Sequence, residues 1–118
     1  MTDFRLGGNQ GPLSSLHQAS ERLRSFKNAG TEDVFNGKNT LHARRTCPQS
    51  LWRVAGRKLD QLDSVSSVEE LRIPPGSQLE ALKSERKGQF SIRINDQYRV
   101  CFTWVEGEPD SVEIVDYH

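Results

Sequence analysis

The chain has 118 residues, enough for one domain built around one hydrophobic core. Hydrophobic residues make up 34% of it and charged residues 27%, and no apolar run approaches the roughly 20 residues that cross a bilayer, so a membrane protein is excluded. The formal net charge is zero, so any surface for a nucleic acid has to come from segregated charges. Because Cys47 and Cys101 match neither a metal site nor a disulfide scaffold, we predict reduced thiols in a cytoplasmic protein.

The first 21 residues are predicted to form a flexible N-terminal extension. These residues include an acidic residue near the N-terminus and contain no apolar stretch, so a secretory signal is not predicted. The stretch GGNQGPLSS resists regular structure, and SLHQASERL supports at most a short helix. The folded domain is therefore expected to span residues 22–118.

Helices are predicted in the first half of this domain. Residues 23–26 form a brief candidate strand, and GTEDVFNGK then predicts a short helix with Thr31 as N-cap and Gly37 at its end. The clearest helix is 49–63, preceded by Pro48. Its apolar residues recur at helical spacing: Leu51, Ala55, Leu59 and Leu62.

Strands dominate the second half. Pro74-Pro75-Gly76 ends any helix and turns the chain. The segments FSIRI, YRVCFTW and SVEIV then alternate with a period of two or are rich in β-branched residues, and LEAL before them is a further candidate strand. The order predicts an α+β fold, with N-terminal helices packed on a twisted antiparallel sheet of about four strands.

The basic residues fall into two clusters. The stretch 34–59 holds no carboxylate but six cations, namely Lys38, Arg44, Arg45, Arg53, Arg57 and Lys58. The second cluster comprises Lys83, Arg86, Lys87, Arg93 and Arg99. Acidic residues concentrate after position 105, so the segregation offers a polyanion a positive surface; a solvated helix face is the alternative for the first cluster.

The turn Asn95-Asp96-Gln97 sets a register for the hairpin around it. With these three residues as the loop, Ile92 faces Val100 and Phe90 faces Phe102 on one apolar side. The same register places Arg93 directly opposite Arg99. Like charges facing each other destabilise a sheet, and this favours a phosphate-binding surface. Two alternatives remain: a bulge shifts the register, or Glu113 or Asp116 neutralises the pair.

The final residues Asp116-Tyr117-His118 add groups that can transfer protons. The pKa of histidine lies nearest neutrality, which makes His118 a candidate general acid or base, although a terminal histidine is more often inert. A nuclease that uses the RNA 2′-hydroxyl needs a base, an acid and cations for the phosphorane. The candidates that together supply all three without a metal are Lys83, Arg93, Arg99, Tyr117 and His118. No zinc pattern or other cofactor motif is present in the sequence, so neither metal nor cofactor is predicted.

These motifs resemble a known family. The run from RIPPGSQLEALK through SIRINDQYRVCF to the closing VDYH resembles the HigB toxins of the RelE/ParE superfamily, and LRSFKNAGTEDVFNGK resembles the segment with which those proteins begin. The resemblance covers about residues 22–118. It implies a RelE-like domain that cuts mRNA in the ribosomal A site, without a metal. It also implies as partners the ribosome, its mRNA and a HigA-type helix-turn-helix antitoxin, with DNA contacted only through that antitoxin.

The resemblance also implies roles for particular residues. Lys83 matches a phosphate-contacting residue, Arg99 the arginine that stabilises the transition state, and Asp116, Tyr117 and His118 the tail motif involved in proton transfer. The residues expected to contact RNA are Arg93, Asn95, Arg86, Lys87 and Glu80, although Arg93 does not align cleanly with the family. Two positions depart from the family, since some relatives have arginine at Asn95 and histidine at Glu80. These departures leave the division of acid and base roles open.

Two other functions remain as alternatives at the sequence level. ParE-like toxins share the fold but bind DNA gyrase and lack RNase activity. A toxin that has lost catalysis would remain an RNA-binding or antitoxin-binding module.

Overall fold

A computed structural model describes residues 23–72 and 77–117. Three α-helices come first: α1 (Ala29–Phe35), α2 (Leu41–Thr46) and α3 (Trp52–Ser64). Four strands follow: β1 (Glu80–Ala81), β2 (Phe90–Arg93), β3 (Tyr98–Val105) and β4 (Glu108–Asp116). The strands form one antiparallel sheet in the order β1-β2-β3-β4, which confirms the predicted α+β meander. The predicted extension over residues 1–21 and the Pro74-Pro75-Gly76 turn lie outside the described residues.

The first helix begins at a different cap from the one predicted. Asn28 is the N-cap of α1, and its side-chain oxygen accepts a hydrogen bond from the Thr31 backbone N–H at 2.9 Å. The prediction that Thr31 caps the helix was wrong because its hydroxyl is used elsewhere, against β4. The end of the helix was placed correctly, since Gly37 follows the C-cap Asn36 with a φ of +74°.

The long helix was predicted correctly. A single 3₁₀ turn at Gln49–Leu51 leads into α3, which runs to Ser64. Its buried positions are Ala55, Leu59 and Leu62. Sequence patterns did not predict α2, a six-residue helix whose N-cap Thr40 accepts a hydrogen bond from the Ala43 N–H at 3.1 Å.

The hairpin of β2 and β3 has the predicted register. Phe90 pairs with Phe102, Ile92 with Val100, and Arg93 with Arg99. The predicted strand at LEAL contributes only the two residues of β1. The last strand begins earlier than the segment SVEIV predicted, and an irregularity in its pairing falls between Cys101 and Thr103 of β3.

Segment 23–27 lies along the outer edge of β4 and forms a single bridge instead of the predicted strand. Phe26 and Val112 make the isolated parallel bridge. Lys27 N–H donates to the Val112 carbonyl at 2.8 Å, and Val112 N–H donates to the Ser25 carbonyl at 3.0 Å. The buried Thr31 hydroxyl accepts the next outward N–H, that of Ile114, at 3.0 Å. These contacts satisfy backbone groups that an edge strand would otherwise expose.

The core lies between the helices and one side of the sheet. The sheet contributes Ile92, Val100, Phe102, Val112 and Ile114, all at most 5% exposed. Leu59 and Leu62 of α3 and Leu71, each fully buried, belong to the same cluster. None of the described helices is long and apolar enough to cross a membrane.

Candidate active site

The sheet side that faces away from the helices carries the predicted arginines. Side chains of paired residues share a side, so the row Arg93–Arg99–Val115 lies there, next to a row containing Ser91 and Cys101. Ser91 and Cys101 are nevertheless only 0% and 1% exposed. The loop between β1 and β2 must therefore cover this side of the sheet.

That loop carries Lys83. It is closed by a hydrogen bond from Leu82 N–H to the Gln89 carbonyl at 2.8 Å, and it contains a 3₁₀ turn at Ser84–Arg86. Ser84 has a φ of +56°, a left-handed conformation that costs a non-glycine residue roughly 1–2 kcal/mol. The Lys83 side chain is exposed and makes no ion pair within the described residues. Its ammonium is thus available to a ligand.

An open cleft of about 430 Å³ separates this loop from the end of β4. It is lined by Lys83, Ser84, Glu85, Arg86, Val115, Asp116 and Tyr117. A neighbouring cavity is lined by Glu80, Ala81, Leu82, Lys83 and Tyr117. Lys83 and Tyr117 belong to both, so they stand at the centre of a continuous polar surface. Glu80 lies beside Lys83 there, without an ion pair between them.

Arg99 adjoins the cleft through Tyr117. Its guanidinium carbon lies 5.6 Å from the centroid of the Tyr117 ring, within the range of a cation–π interaction. Its Nε and Nη1 atoms are buried and have no hydrogen-bond partner among the described residues. Buried donors on a cation are costly unless something accepts their hydrogen bonds. A bound anion next to the guanidinium would therefore stabilise this arrangement.

The charge of Arg93, on the neighbouring strand β2, is already balanced by a carboxylate. It forms an ion pair with Asp96 in the turn, three residues along the chain. Because the register is regular here, the alternative of a bulge is wrong. Glu113 and Asp116 engage neither arginine, so the second alternative is also wrong. Of the two facing arginines, Arg99 is the one left for a ligand.

The chain after β4 is held by the turn between β2 and β3. Tyr117 N–H donates to the Gln97 carbonyl at 2.6 Å, and the Gln97 amide donates to Asp116 Oδ2 at 3.1 Å. Asp116 pairs with Tyr98 and so alternates to the side of the sheet opposite Arg99. These contacts fix the position of the exposed Tyr117 ring. His118 lies outside the described residues.

Three residues predicted to contact RNA have other partners or none. Asn95 Oδ1 accepts hydrogen bonds from Gln97 N–H at 2.9 Å and Tyr98 N–H at 2.7 Å, which stabilises the turn. Arg86 Nη1 donates to Gln89 Oε1 at 3.0 Å. Lys87 is exposed, with no ion pair in the described part of the chain.

The family model for RelE-like toxins of the type II toxin-antitoxin system HigB matches residues 24–118. The chain belongs to this family. Toxin HigB-1 of Vibrio cholerae serotype O1 is 46% identical over 63 residues, which cover 53% of this chain and 66% of that protein. A Haemophilus influenzae protein described as uncharacterized is 34% identical over 65 residues, which cover 55% of this chain and 64% of that protein. The aligned part thus spans just under two thirds of the relatives' length.

In this HigB-like chain, the cleft can bind a phosphate and stabilise added negative charge. Lys83 supplies an exposed ammonium and Arg99 a partly buried guanidinium, while Tyr117 offers a phenol next to both. Burial raises the pKa of the Cys101 thiol, with Arg86 opposing it, so this cysteine stays protonated near neutral pH and is no nucleophile. The described residues contain no group of three side chains that could hold a metal ion.

Two residues next to the site have contacts that the sequence analysis did not predict. Gln97 was recognised only as turn material, although both its carbonyl and its amide hold the chain after β4. Glu113 was considered only as a partner for the two facing arginines, whereas it pairs with Arg86 and Lys27. The register of β4 against β3 indicates where Glu113 lies, since it places this residue opposite Cys101.

Proposed function

We propose that this chain is the toxin of a type II toxin-antitoxin system and cleaves translated mRNA on the ribosome. The proposal rests on family membership and on one observation, the buried Nε and Nη1 of Arg99 without hydrogen-bond partners beside Tyr117. The partners would be a HigA-type helix-turn-helix antitoxin, the ribosome and its mRNA in the cytoplasm. DNA would be contacted only through the antitoxin.

The proposed reaction needs no metal. The RNA 2′-oxygen attacks the adjacent phosphorus after losing its proton, the bond to the 5′-oxygen breaks, and that oxygen takes up a proton. Arg99 and Lys83 stabilise the negative charge that builds up on the phosphorane. Tyr117 or His118 exchanges the protons, and Glu80 supplies a carboxylate in the adjoining cavity, which Lys83 also lines.

Controlled expression with mapping of mRNA 5′ ends tests this function. Wild type should produce cuts inside translated codons. Arg99→Ala should lower cleavage about 10²-fold to 10³-fold, as expected when one donor to a transition-state oxyanion is lost. Deletion of His118 should also abolish the cuts, whereas Arg72→Ala, an exposed position outside both basic clusters, should leave them unchanged.

A different pattern would contradict the proposal. Growth arrest with intact mRNA and increased DNA breaks would indicate a gyrase poison of the ParE kind. Antitoxin or RNA binding without cleavage, equal in wild type and Arg99→Ala, would indicate a module that has lost catalysis.

A further inference from the structure

The carboxylate of Glu113 connects three elements of the fold. It lies on β4, on the sheet side that carries Arg99. Its Oε1 is 3.8 Å from Arg86 Nη1 in the β1–β2 loop and 3.9 Å from Lys27 Nζ, before α1. The Glu113 and Arg86 side chains are 22% and 33% exposed, so solvent screens their interaction only in part.

Among the described residues, this ion pair is the one side-chain hydrogen bond or ion pair that links the β1–β2 loop to β4. The other hydrogen bonds of residues 83–88 in the described part of the chain are local. They are the backbone bonds Arg86 N–H to Lys83, Lys87 N–H to Ser84 and Gln89 N–H to Arg86, and the side-chain bond of Arg86 to Gln89. Local bonds set the shape of the loop but not its distance from β4.

Two observations indicate that the loop would move if this ion pair were absent. Ser84 holds an unfavourable left-handed conformation, and such strain persists only where surrounding contacts enforce it. The floor under the loop includes the buried Ser91 hydroxyl, which has no hydrogen-bond partner among the described residues. Lifting the loop would let water reach that hydroxyl, so opening would relieve one cost at Ser84 and another at Ser91.

We propose that the Arg86–Glu113 ion pair positions Lys83 by fixing the loop against β4, and that Arg86 is a positioning residue and not an RNA contact. The pair joins the elements that form the two walls of the cleft, since Lys83 and Arg86 line one wall and Val115 to Tyr117 the other. The inference rests on the proposed nuclease function for its kinetic consequences. It does not rest on that function for the structural ones.

The kinetic test compares Arg86→Gln, Glu113→Gln and the double variant in ribosome-dependent mRNA cleavage. Each single variant should lower kcat about 10-fold to 100-fold with KM unchanged, since a displacement near 1 Å can have that effect. The double variant should be no slower than either single variant, because both remove the same tie. Lys27→Gln is the matched control: it takes the other partner from Glu113 but leaves the loop attached, and cleavage should stay within about twofold of wild type.

Other kinetic outcomes would overturn the proposal. If Arg86→Gln raises KM, Glu113→Gln does not, and their effects add, then Arg86 contacts RNA. If Lys27→Gln loses as much activity as Glu113→Gln, then the carboxylate supports the fold generally and does not position the loop.

Amide hydrogen exchange separates this inference from the proposed function. Residues 84–88 should exchange faster in Arg86→Gln and Glu113→Gln than in wild type and Lys27→Gln, while the strand amides stay equally protected. If wild type cuts no mRNA, the nuclease function fails but this result still holds. Unchanged exchange at residues 84–88 would overturn the positioning role whatever the activity.

Discussion

Arg99 is placed at a cost to stability. Its neighbour across the sheet is another arginine, and two of its donors are buried without partners among the described residues. Residues at binding sites often carry unfavourable features of this kind, which a ligand relieves. The Tyr117 ring beside the guanidinium compensates only in part, since a cation–π contact offers the donors no hydrogen-bond acceptor.

Arg99→Met should therefore abolish mRNA cleavage and stabilise the fold. Two donors of this cation lack partners among the described residues, so replacing it by an apolar side chain of similar length removes a desolvation penalty. We expect the free energy of unfolding to rise by about 1 kcal/mol. Urea denaturation of the purified protein without RNA measures this change. Arg93→Met is the control, since this arginine has Asp96 as a partner and should give no gain. A loss of stability in Arg99→Met would show that the guanidinium contributes to folding.

At the scale of elements, the approach of α1 to α2 depends on Gly30. A Cβ atom on this buried glycine would lie 2.6 Å from the His42 carbonyl oxygen and closer still to the Thr46 hydroxyl. Real Cβ contacts are essentially never that short, so the two helices would have to separate. Gly56, within α3, has no atom within 4 Å of the corresponding position.

The same substitution should thus have opposite effects at the two glycines. Gly30→Ala should lower the free energy of unfolding by roughly 1–3 kcal/mol, because it overpacks a helix contact. Gly56→Ala should raise it by about 0.5–1 kcal/mol, because alanine restricts the unfolded chain and favours the helix. Thermal and urea unfolding of both variants provide the comparison. Equal effects at both positions would contradict the close helix contact.

Sequence patterns predicted most of the sheet and less of its surroundings. Alternating apolar residues and one turn were enough to pair β2 with β3, because a shift by one residue would expose the whole apolar side. The cap of α1 was missed because both Asn28 and Thr31 suit that role, and the choice depends on the distant Ile114 N–H. The same limit applies to Glu113, whose partners come from segments far away in the sequence.

The candidate site was likewise predicted in part. Lys83 and Tyr117 do share a cleft, and Arg99 does adjoin it. The chemical types of these residues suggested this grouping together with the family resemblance. Asp116 lines the cleft as well, but its side chain alternates to the side of the sheet opposite Arg99, because Asp116 pairs with Tyr98.

At the scale of the whole molecule, three carboxylates among the described residues cluster at the end of the sheet away from Arg99. Arg24 lies near three carboxylates around the β3–β4 turn, at 3.6 Å from Glu106, 3.4 Å from Glu108 and 3.8 Å from Asp110. From Arg99 to this end of β3 is roughly 20 Å, at about 3.3 Å per residue. This exceeds the Debye length of about 10 Å at 0.1 M salt, so these acids do not cancel the field at the cleft. Zero net charge is therefore compatible with binding a polyanion.

A chain that lacks residues 1–21 should retain toxicity and antitoxin binding. The family match begins at residue 24, and the Leu23 N–H already anchors the domain by donating to Asp63 Oδ1 at 3.1 Å. Growth arrest on expression and copurification with the antitoxin measure the two properties. Loss of either one would assign a role to this segment.

The contacts along the outer edge of β4 join residues that the ribosome adds early in synthesis to residues that it adds late. Phe26 pairs with Val112, and Thr31 accepts a hydrogen bond from Ile114. During synthesis, the N-terminal partners therefore cannot form these contacts until the C-terminal ones have been made. Such distant pairings close slowly, after the local helices have formed. The cleft needs Val115 to Tyr117 for one of its walls. A nascent chain therefore cannot form this cleft before residues 115–117 have been synthesised.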